Sequence, residues 1–360
     1  GVAWEDAAGG ASSINDLSDG TSNITNFANS ILISNDGGTG TLDAASHNTG
    51  LGWEVFDDLT SGDNNTGVGS GALSKVTTGS SNTGIGYLSL EAHTTGSNNV
   101  AIGKDALRTQ TTATGNVSIG ANSLEDNTAD NNTAVGNSAL LQNTTGTENV
   151  AIGAEAGAAN TTGNNNVFVG RDAGKANTTA GNNTFIGERA GLANTTGDES
   201  VAIGQFAYSA NTTGVDNVAI GRSALAANTT ANNNVAIGRA AMTANTTGYD
   251  NVAVGRVSLD ANTTGYENVA IGESSLTSNT TGYRNTAVGQ NTLVNCTTGI
   301  ENTALGQNAA NDVTTGSSNV CLGQNAGAAI DTGGGNVCIG GNAGDGLNGD
   351  NGKWNVAVGL

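Results

Sequence analysis

Apolar residues alternate with small residues in short segments that recur along most of the chain. The recurring phrase is Asn, then Val or Thr, then a residue that is usually Ala, then Ile, Val or Leu, and last Gly; residues 149–153 are a typical copy. Alternation with a period of two is typical of a β-strand, and the glycine marks its end. No apolar stripe has the 3.6-residue spacing of a helix. The pattern therefore predicts an all-β protein.

The glycines that end these segments are evenly spaced. Nineteen of them stand from Gly52 to Gly359, and 16 of the 18 gaps are 17 residues long. A 17-residue unit cannot bury a core alone, but stacked units can. The Asn-Thr-Thr-Gly at 160–163 has the chemistry of a turn. We therefore predict a parallel β-solenoid, or β-roll, of about 18 coils that rises about 4.8 Å per coil. Asparagines of successive coils, such as Asn149 and Asn166, should form amide ladders.

Two segments depart from this period. Residues 1–47 lack it and contain Phe27 and the apolar residues 31–33. We predict that this segment attaches or caps the solenoid, because its first coil would otherwise expose bare strand edges. Residues 48–360 form the repeat region, which an irregular loop at 341–354 interrupts.

The two faces of the predicted strand differ in residue size. We expect Val150 and Ile152 to fill the interior of the coil and the residue between them to face away from it. That middle position is nonetheless almost always occupied by Ala, Gly, Phe or Cys rather than by a polar residue. We predict that it packs against sister chains, since a second layer is needed to cover it. The predicted inter-chain residues are Ala151, Phe168, Phe185, Ala219, Ala236, Cys321 and Cys338. The alternative is an alanine-rich face that solvent tolerates.

Volume is exchanged between that middle position and a second one. Four residues after the glycine the chain usually has Leu, but it has Gly at 174, 191, 327 and 344, in the repeats that carry Phe168, Phe185, Cys321 and Cys338. Close-packed interiors require such compensation. Gly157, in a repeat with the small Ala151, is an exception.

Charge excludes several classes of partner. The chain has 11 Lys and Arg against 31 Asp and Glu, a net charge of −20, and no basic cluster. Nucleic acid and anionic bilayers would be repelled. No apolar run approaches the roughly 20 residues that span a membrane. We therefore expect neither nucleic-acid binding nor membrane insertion.

Residues for catalysis or metal binding are sparse. His47 and His93 are far apart, and we expect His93 to be solvated, in a turn column where Asn usually stands. Cys296, Cys321 and Cys338 have no zinc spacing, and we favour buried free thiols over a disulfide. One column of carboxylates should be a solvated face, with a calcium row left open: Asp216, Asp250, Glu267 and Glu301. We predict no catalytic residue, metal or cofactor, and no enzyme; a polysaccharide depolymerase whose carboxylates meet across chains stays open.

Two columns could bind a ligand. Tyr249, Tyr266 and Tyr283 fall one per coil and would stack into a flat platform for sugar faces. Arg222, Arg239 and Arg256 form a second column, whose repulsion Asp250, Glu267 or an anionic glycan would offset. The alternatives are the rim of a chain–chain contact for the tyrosines and plain solvated surface for the arginines.

The repeat resembles that of known adhesive fibres. Phrases such as NVAIG, NTAVG and NVFVG resemble the head repeats of trimeric autotransporter adhesins. The 17-residue version with NTTG is more similar to repeats in phage tail fibres, especially marine ones, and residues 14–34 look like the lead-in before such repeats. The resemblance implies a left-handed, homotrimeric β-roll on a virion surface. It implies binding to a host surface glycan or receptor, and contact with other fibre or virion proteins through residues 1–47.

Other functions of such a solenoid stay open. A bacterial surface adhesin or an extracellular filament subunit fits the same repeats. An ice-binding solenoid is a further alternative, because Thr161 and Thr162 recur regularly, although in turns rather than strands.

Overall fold

The chain folds as a parallel β-solenoid of about 18 turns, as its period predicts. The computed structural model describes residues 20–24, 27–34, 43–345, 347 and 353–359, and no helix occurs among them. The strands are β1 (Gly20–Ile24), β2 (Phe27–Ile33), β3 (Ala45–Ser46), β4 (Thr49–Leu51), β5 (Thr66–Val68), β6 (Thr83–Ile85), β7 (Val100–Ile102), β8 (Val117–Ile119), β9 (Thr133–Val135), β10 (Val150–Ile152), β11 (Val167–Val169), β12 (Thr184–Ile186), β13 (Val201–Ile203), β14 (Val218–Ile220), β15 (Val235–Ile237), β16 (Val252–Val254), β17 (Val269–Ile271), β18 (Thr286–Val288), β19 (Thr303–Leu305), β20 (Val320–Leu322), β21 (Val337–Ile339) and β22 (Val356–Val358).

Each strand of the repeat pairs in parallel with the strand one turn away, so that like residues lie above like residues. In β14 and β15, Ala219 pairs with Ala236. The turns between strands also bond to the next coil, as the amide of Leu225 does to the carbonyl of Ala241 at 2.9 Å. The contacts divide the chain into two compact units, Gly1–Asp172 and Ala173–Leu360, and each is described by itself.

The strand faces are the reverse of those predicted. The middle residue points into its own coil, and the residues on either side point out: Ile152 is 43% exposed. All seven predicted inter-chain residues are fully buried within a single chain: Ala151, Phe168, Phe185, Ala219, Ala236, Cys321 and Cys338. Their assignment to chain–chain packing is therefore wrong. One 17-residue coil encloses a narrow space, which accepts one inward side chain from the strand, usually Ala, or Phe where the facing turn residue is Gly, but not both Val and Ile.

Leucines from the turns fill the rest of this interior. Leu225 is fully buried although its φ is 52°, in the left-handed region that bulky residues rarely adopt. Burial of the side chain offsets that strain. The volume exchange seen in the sequence takes place here, because a Cβ on Gly344 would lie 2.6 Å from Sγ of Cys338. The exchange is real, but it is internal to one chain.

Two columns of buried asparagine run through the interior. In the first, Asn251 Nδ2 donates to Asn234 Oδ1 at 3.1 Å and to the Gly265 carbonyl at 2.9 Å. In the second, built from the Asn-Thr-Thr-Gly turns, Asn262 Nδ2 donates to Asn245 Oδ1 at 2.8 Å. The predicted amide ladders are thereby confirmed, since Asn166 Nδ2 also lies 3.1 Å from Asn149 Oδ1.

His93 occupies a place in this second column. It is fully buried, so the prediction of a solvated histidine is wrong. Its ring Nε2 donates to the carbonyl of Gly96 at 2.8 Å, and Nδ1 lies 3.4 Å from Gln110 Nε2. Burial lowers the pKa of His93 below its ordinary value. The histidine is thus a neutral substitute for the ladder asparagine.

The three cysteines are free and buried, as predicted. Cys321 and Cys338 pair across β20 and β21, one turn apart, in the inward position of the strand. Burial raises the pKa of Cys321 to about 12. These thiols act as small apolar groups of the core.

Part of the predicted N-terminal segment belongs to the solenoid. Strand β2 pairs in parallel with β4, and β1 pairs antiparallel with β2. Ile31 and Ile33 are exposed at 47% and 42%, in line with the outward residues of β4, whereas Leu32 is buried. Residues 1–19, 25–26 and 35–42 of this segment, and residues 346 and 348–352 of the predicted C-terminal loop, lie outside the described residues.

Candidate functional site

Three of the four tyrosines of the second unit form one stack. Tyr249, Tyr266 and Tyr283 directly follow the glycine of the Asn-Thr-Thr-Gly turn. Their ring centroids lie 5.1 and 4.7 Å apart, and the planes differ by only 6° and 4°. The predicted stack is therefore present, but it is not a flat platform, because parallel rings at this separation cover one another's faces. The middle ring offers its edge and hydroxyl to solvent.

At these tyrosines the fold lacks a hydrogen bond, between a backbone amide and a side chain of the next turn, that it makes in other turns. In other turns of the same column, a polar side chain accepts the amide of the residue one turn before. Asn232 Oδ1 accepts the amide of Val215 at 2.9 Å, and Asp198 Oδ1 accepts that of Gly181 at 2.7 Å. Among the described residues, the amides of Tyr249 and Tyr266, which face a tyrosine in the next turn, have no such acceptor.

Such a bond is worth about 0.5–1.5 kcal/mol. Stacking of each ring on the next offsets this loss, since an aromatic pair contributes about 0.5–1.5 kcal/mol. The column is therefore a solvent-facing aromatic array that the fold tolerates, and it is a candidate contact surface.

Ion pairs lie beside Tyr283, at the C-terminal end of the stack. Arg284 Nε donates to Glu267 Oε2 at 2.7 Å, and Nη1 lies 3.9 Å from Glu301 Oε1. The guanidinium carbon is 5.7 Å from the ring centroid of Tyr283. Desolvation raises the pKa of the Tyr266 hydroxyl, and the neighbouring Tyr283 raises it further. The hydroxyl is therefore protonated, and able to donate, at neutral pH. The predicted carboxylate column is solvent-exposed at Asp216, Asp250, Glu267 and Glu301.

The arginine column lies elsewhere on the unit. Arg222, Arg239 and Arg256 are exposed and follow the motif glycine, at the opposite end of the strand from the tyrosines. Arg256 pairs with Glu273 in the next turn, and not with the predicted Asp250 or Glu267. Neither Arg222 nor Arg239 has a carboxylate within 4.0 Å in the described part of the chain. The structure therefore does not join the two columns into one site.

The outward face of the strands is a second surface, which the sequence argument had placed inside. In every turn the residue before the motif glycine is Ile, Val or Leu, and the residue two earlier is Val or Thr. Ile237, Ile271 and Leu305 are 37%, 39% and 52% exposed. An uncharged apolar face of this regularity is typical of a contact surface.

The signal that could have assigned this face was already in the sequence. Exchange of volume between the middle strand position and the turn leucine requires direct contact within one core. That contact places the middle residue inside and its neighbours outside.

The first threonine of the Asn-Thr-Thr-Gly turns uses its hydroxyl within the chain. Thr212 Oγ1 donates to the carbonyl of Thr229 at 3.0 Å, and Thr246 Oγ1 to that of Thr263 at 3.0 Å. These hydroxyls are donors to the next coil, rather than a free array facing water.

The residues that the structure describes contain no group of three or more His, Cys, Asp or Glu side chains arranged to hold a metal ion. They also contain no helix with the length and hydropathy of a membrane span.

The chain matches no protein-family model. It shows no significant similarity to a curated protein sequence.

Proposed function

We propose that the protein is a structural, receptor-binding fibre: a left-handed, homotrimeric β-solenoid on the surface of a virion that attaches to a glycan or protein of a host surface. The observation that carries the proposal is the tyrosine stack, Tyr249, Tyr266 and Tyr283. It is a rigid, solvent-facing aromatic array that costs the chain backbone hydrogen bonds. Residues 1–47 would join the fibre to other fibre or virion proteins.

The outward strand face supports lateral association of identical chains. A half-covered Ile-sized side chain contributes about 1 kcal/mol when it is fully buried. Association costs about 4–15 kcal/mol in lost freedom of motion, so several turns have to act together. With a net charge of −20 per chain, contact is favourable only where charge is absent, and neither outward column carries a charged residue. Three such faces around one axis would cover one another.

Adhesion by such a fibre would rest on repetition. Each tyrosine edge and hydroxyl makes a weak contact with a sugar or protein surface. Three rungs in each of three chains multiply these contacts, because the second binding event is intramolecular. The solenoid holds the rungs in fixed positions, so little conformational freedom is lost on binding.

The experiment replaces Tyr249, Tyr266 and Tyr283 together by Ser and measures binding of the labelled protein to a panel of bacterial cells. We expect the triple variant to lose cell binding while its melting temperature stays equal or rises slightly, since Ser restores the backbone acceptor. Tyr87→Ser is the matched control, because Tyr87 is 52% exposed but outside the stack. Wild-type binding by the triple variant would refute the proposed site.

A further inference from the structure

A second polar array, formed by carboxamides, lies in the second unit. Two residues that follow the motif glycine are Gln and Asn in three successive turns, and Asn stands alone in the fourth. The amide array consists of Gln290, Gln307 and Gln324 in one column, and Asn291, Asn308, Asn325 and Asn342 in the other. The three glutamines and Asn342 are exposed, and the remaining asparagines are half-buried.

Both columns are ordered by side-chain hydrogen bonds. Gln307 Nε2 donates to Gln290 Oε1 at 3.2 Å, and Gln324 Nε2 lies 3.4 Å from Gln307 Oε1. In the other column the direction is opposite, since Asn308 Nδ2 donates to Asn325 Oδ1 at 3.2 Å. The backbone beneath is fixed as well, because the amide of Asn325 donates to the Gln307 carbonyl at 3.0 Å.

The fold does not require amides at these positions. The first column holds Trp53, Lys104 and Arg222 in other turns, and the second holds Ala240 with a φ of 57°, close to the 56° of Asn308. A run of paired amides is therefore a property of this surface rather than a condition of the solenoid.

We propose that the amide array binds an uncharged, extended polysaccharide chain that lies parallel to the stacking direction of the coils. A carboxamide has two N–H donors and two acceptor lone pairs, and the ladder uses one of each at Gln307 and Asn308. Every inner rung keeps a donor and an acceptor side by side. Sugar hydroxyls, which donate and accept together, fit this arrangement, whereas carboxylates and phosphates do not.

The spacing and the charge agree with such a ligand. The rungs repeat once per turn, about every 4.8 Å, close to the length that one sugar adds to an extended β-1,4-linked glucan. Each sugar would then lie beside one pair of amides, and every second sugar would present the same edge to the array, because neighbouring sugars of such a chain are turned over relative to each other. An anionic polysaccharide is disfavoured by the net charge of −20. Because the ladders pre-order the side chains, binding costs little conformational freedom, and affinity should grow with glycan length.

The test measures binding of cellohexaose to the full chain by isothermal titration and by shifts of the side-chain amide signals in NMR spectra. Maltohexaose, which has the same sugars in a coiled chain, and cellobiose are the comparison ligands. The variant is Gln307→Ala with Asn308→Ala, which removes one inner rung. Gln205→Ala is the matched control, because Gln205 lies in the same column but bonds to the Glu188 carboxylate at 2.9 Å.

We expect cellohexaose to bind at least tenfold more tightly than cellobiose or maltohexaose, with a tenfold loss in the double variant and none in Gln205→Ala. Absence of cellohexaose binding, or equal binding by the double variant, would overturn the proposal. A double variant with a changed molecular mass would overturn it too, since the array would then be a chain–chain contact. The proposal does not depend on trimer formation or on the tyrosine stack.

Discussion

Gly157 and Phe168 share one space in the interior of the first unit: a methyl group built on Gly157 would lie 2.5 Å from Cδ2 of Phe168. The two residues belong to successive turns. Gly157 is an exception to the exchange of volume within one turn, because the strand of its own turn carries only Ala151. The phenyl ring from the next turn fills the place that a leucine side chain would occupy. Core volume is therefore balanced between neighbouring turns as well as within each turn.

We expect the two residues to be strongly coupled in stability. Gly157→Leu should destabilise the protein by several kcal/mol through overpacking, although the φ of 59° itself accepts leucine elsewhere in the chain. Phe168→Ala should cost about 3–5 kcal/mol because it leaves a cavity. In the double variant leucine occupies part of that cavity, so at least half of the summed loss should be recovered in urea unfolding. Strictly additive losses would show that the two side chains do not compete for one space.

The sequence was sufficient for the solenoid but not for the orientation of its strands. The 17-residue period stacks each residue on its equivalent, which fixes the register of Val218 on Val235 and the asparagine ladders. Alternation shows that the two faces of Val150–Ile152 differ, but it does not tell which face is inside. Which face points inward depends on the volume that one coil encloses. The prediction ranked the two faces by hydrophobicity and therefore placed the wrong face inside.

The candidate sites were predictable to a similar extent. The period alone brings the rings of Tyr249 and Tyr266 together, because equal positions must stack. The separation of the tyrosine and arginine columns depends on where the strand lies between them, and the cost of the tyrosines appears only in the backbone hydrogen bonds. A single departure from a column, such as His93, carries no sequence signal of burial.

A buried carboxylate in the asparagine ladder should be far more harmful than a hydroxyl. Asn251 donates to two acceptors, Asn234 Oδ1 and the Gly265 carbonyl, and Asn251→Asp would place a buried charge against both. We expect a loss of about 3–5 kcal/mol at neutral pH.

Asn251→Ser is the matched control for this substitution. Ser200 occupies the same column, and its Oγ accepts the amide of Asn217 at 3.2 Å. The serine variant should lose about 1–2 kcal/mol. Equal losses for the two variants in chemical unfolding would contradict the ladder as the reason for buried asparagine.

The stability of the first unit should depend on pH through His93. Burial keeps the folded pKa below the ordinary value of 6.5. Below about pH 6.5 the unfolded chain therefore binds a proton that the folded chain does not, and the free energy of unfolding should fall as the pH falls. Above that pH both states are neutral and the effect disappears.

The control for this pH dependence is His93→Asn, which restores the ladder residue and removes the titrating group. Unfolding measured between pH 8 and 5 should show a smaller loss of stability in this variant than in the wild-type chain. Identical pH profiles would exclude His93 as the cause.

A charge placed on the outward strand face should separate the chains. Ile237→Lys with Ile271→Lys introduces two lysines among side chains that are 37% and 39% exposed in one chain. Burial of these charges in a chain–chain contact is costly, so the variant should lose mass in solution while keeping its β-sheet circular dichroism. Thr264→Lys, in an exposed turn, should keep the wild-type mass.

Light scattering of the wild-type chain tests most directly whether the outward face of Val and Ile joins sister molecules. Association in threes predicts a molar mass of about three times the 35.3 kDa of one chain. A stable, well-folded species of 35.3 kDa at micromolar concentration would contradict it.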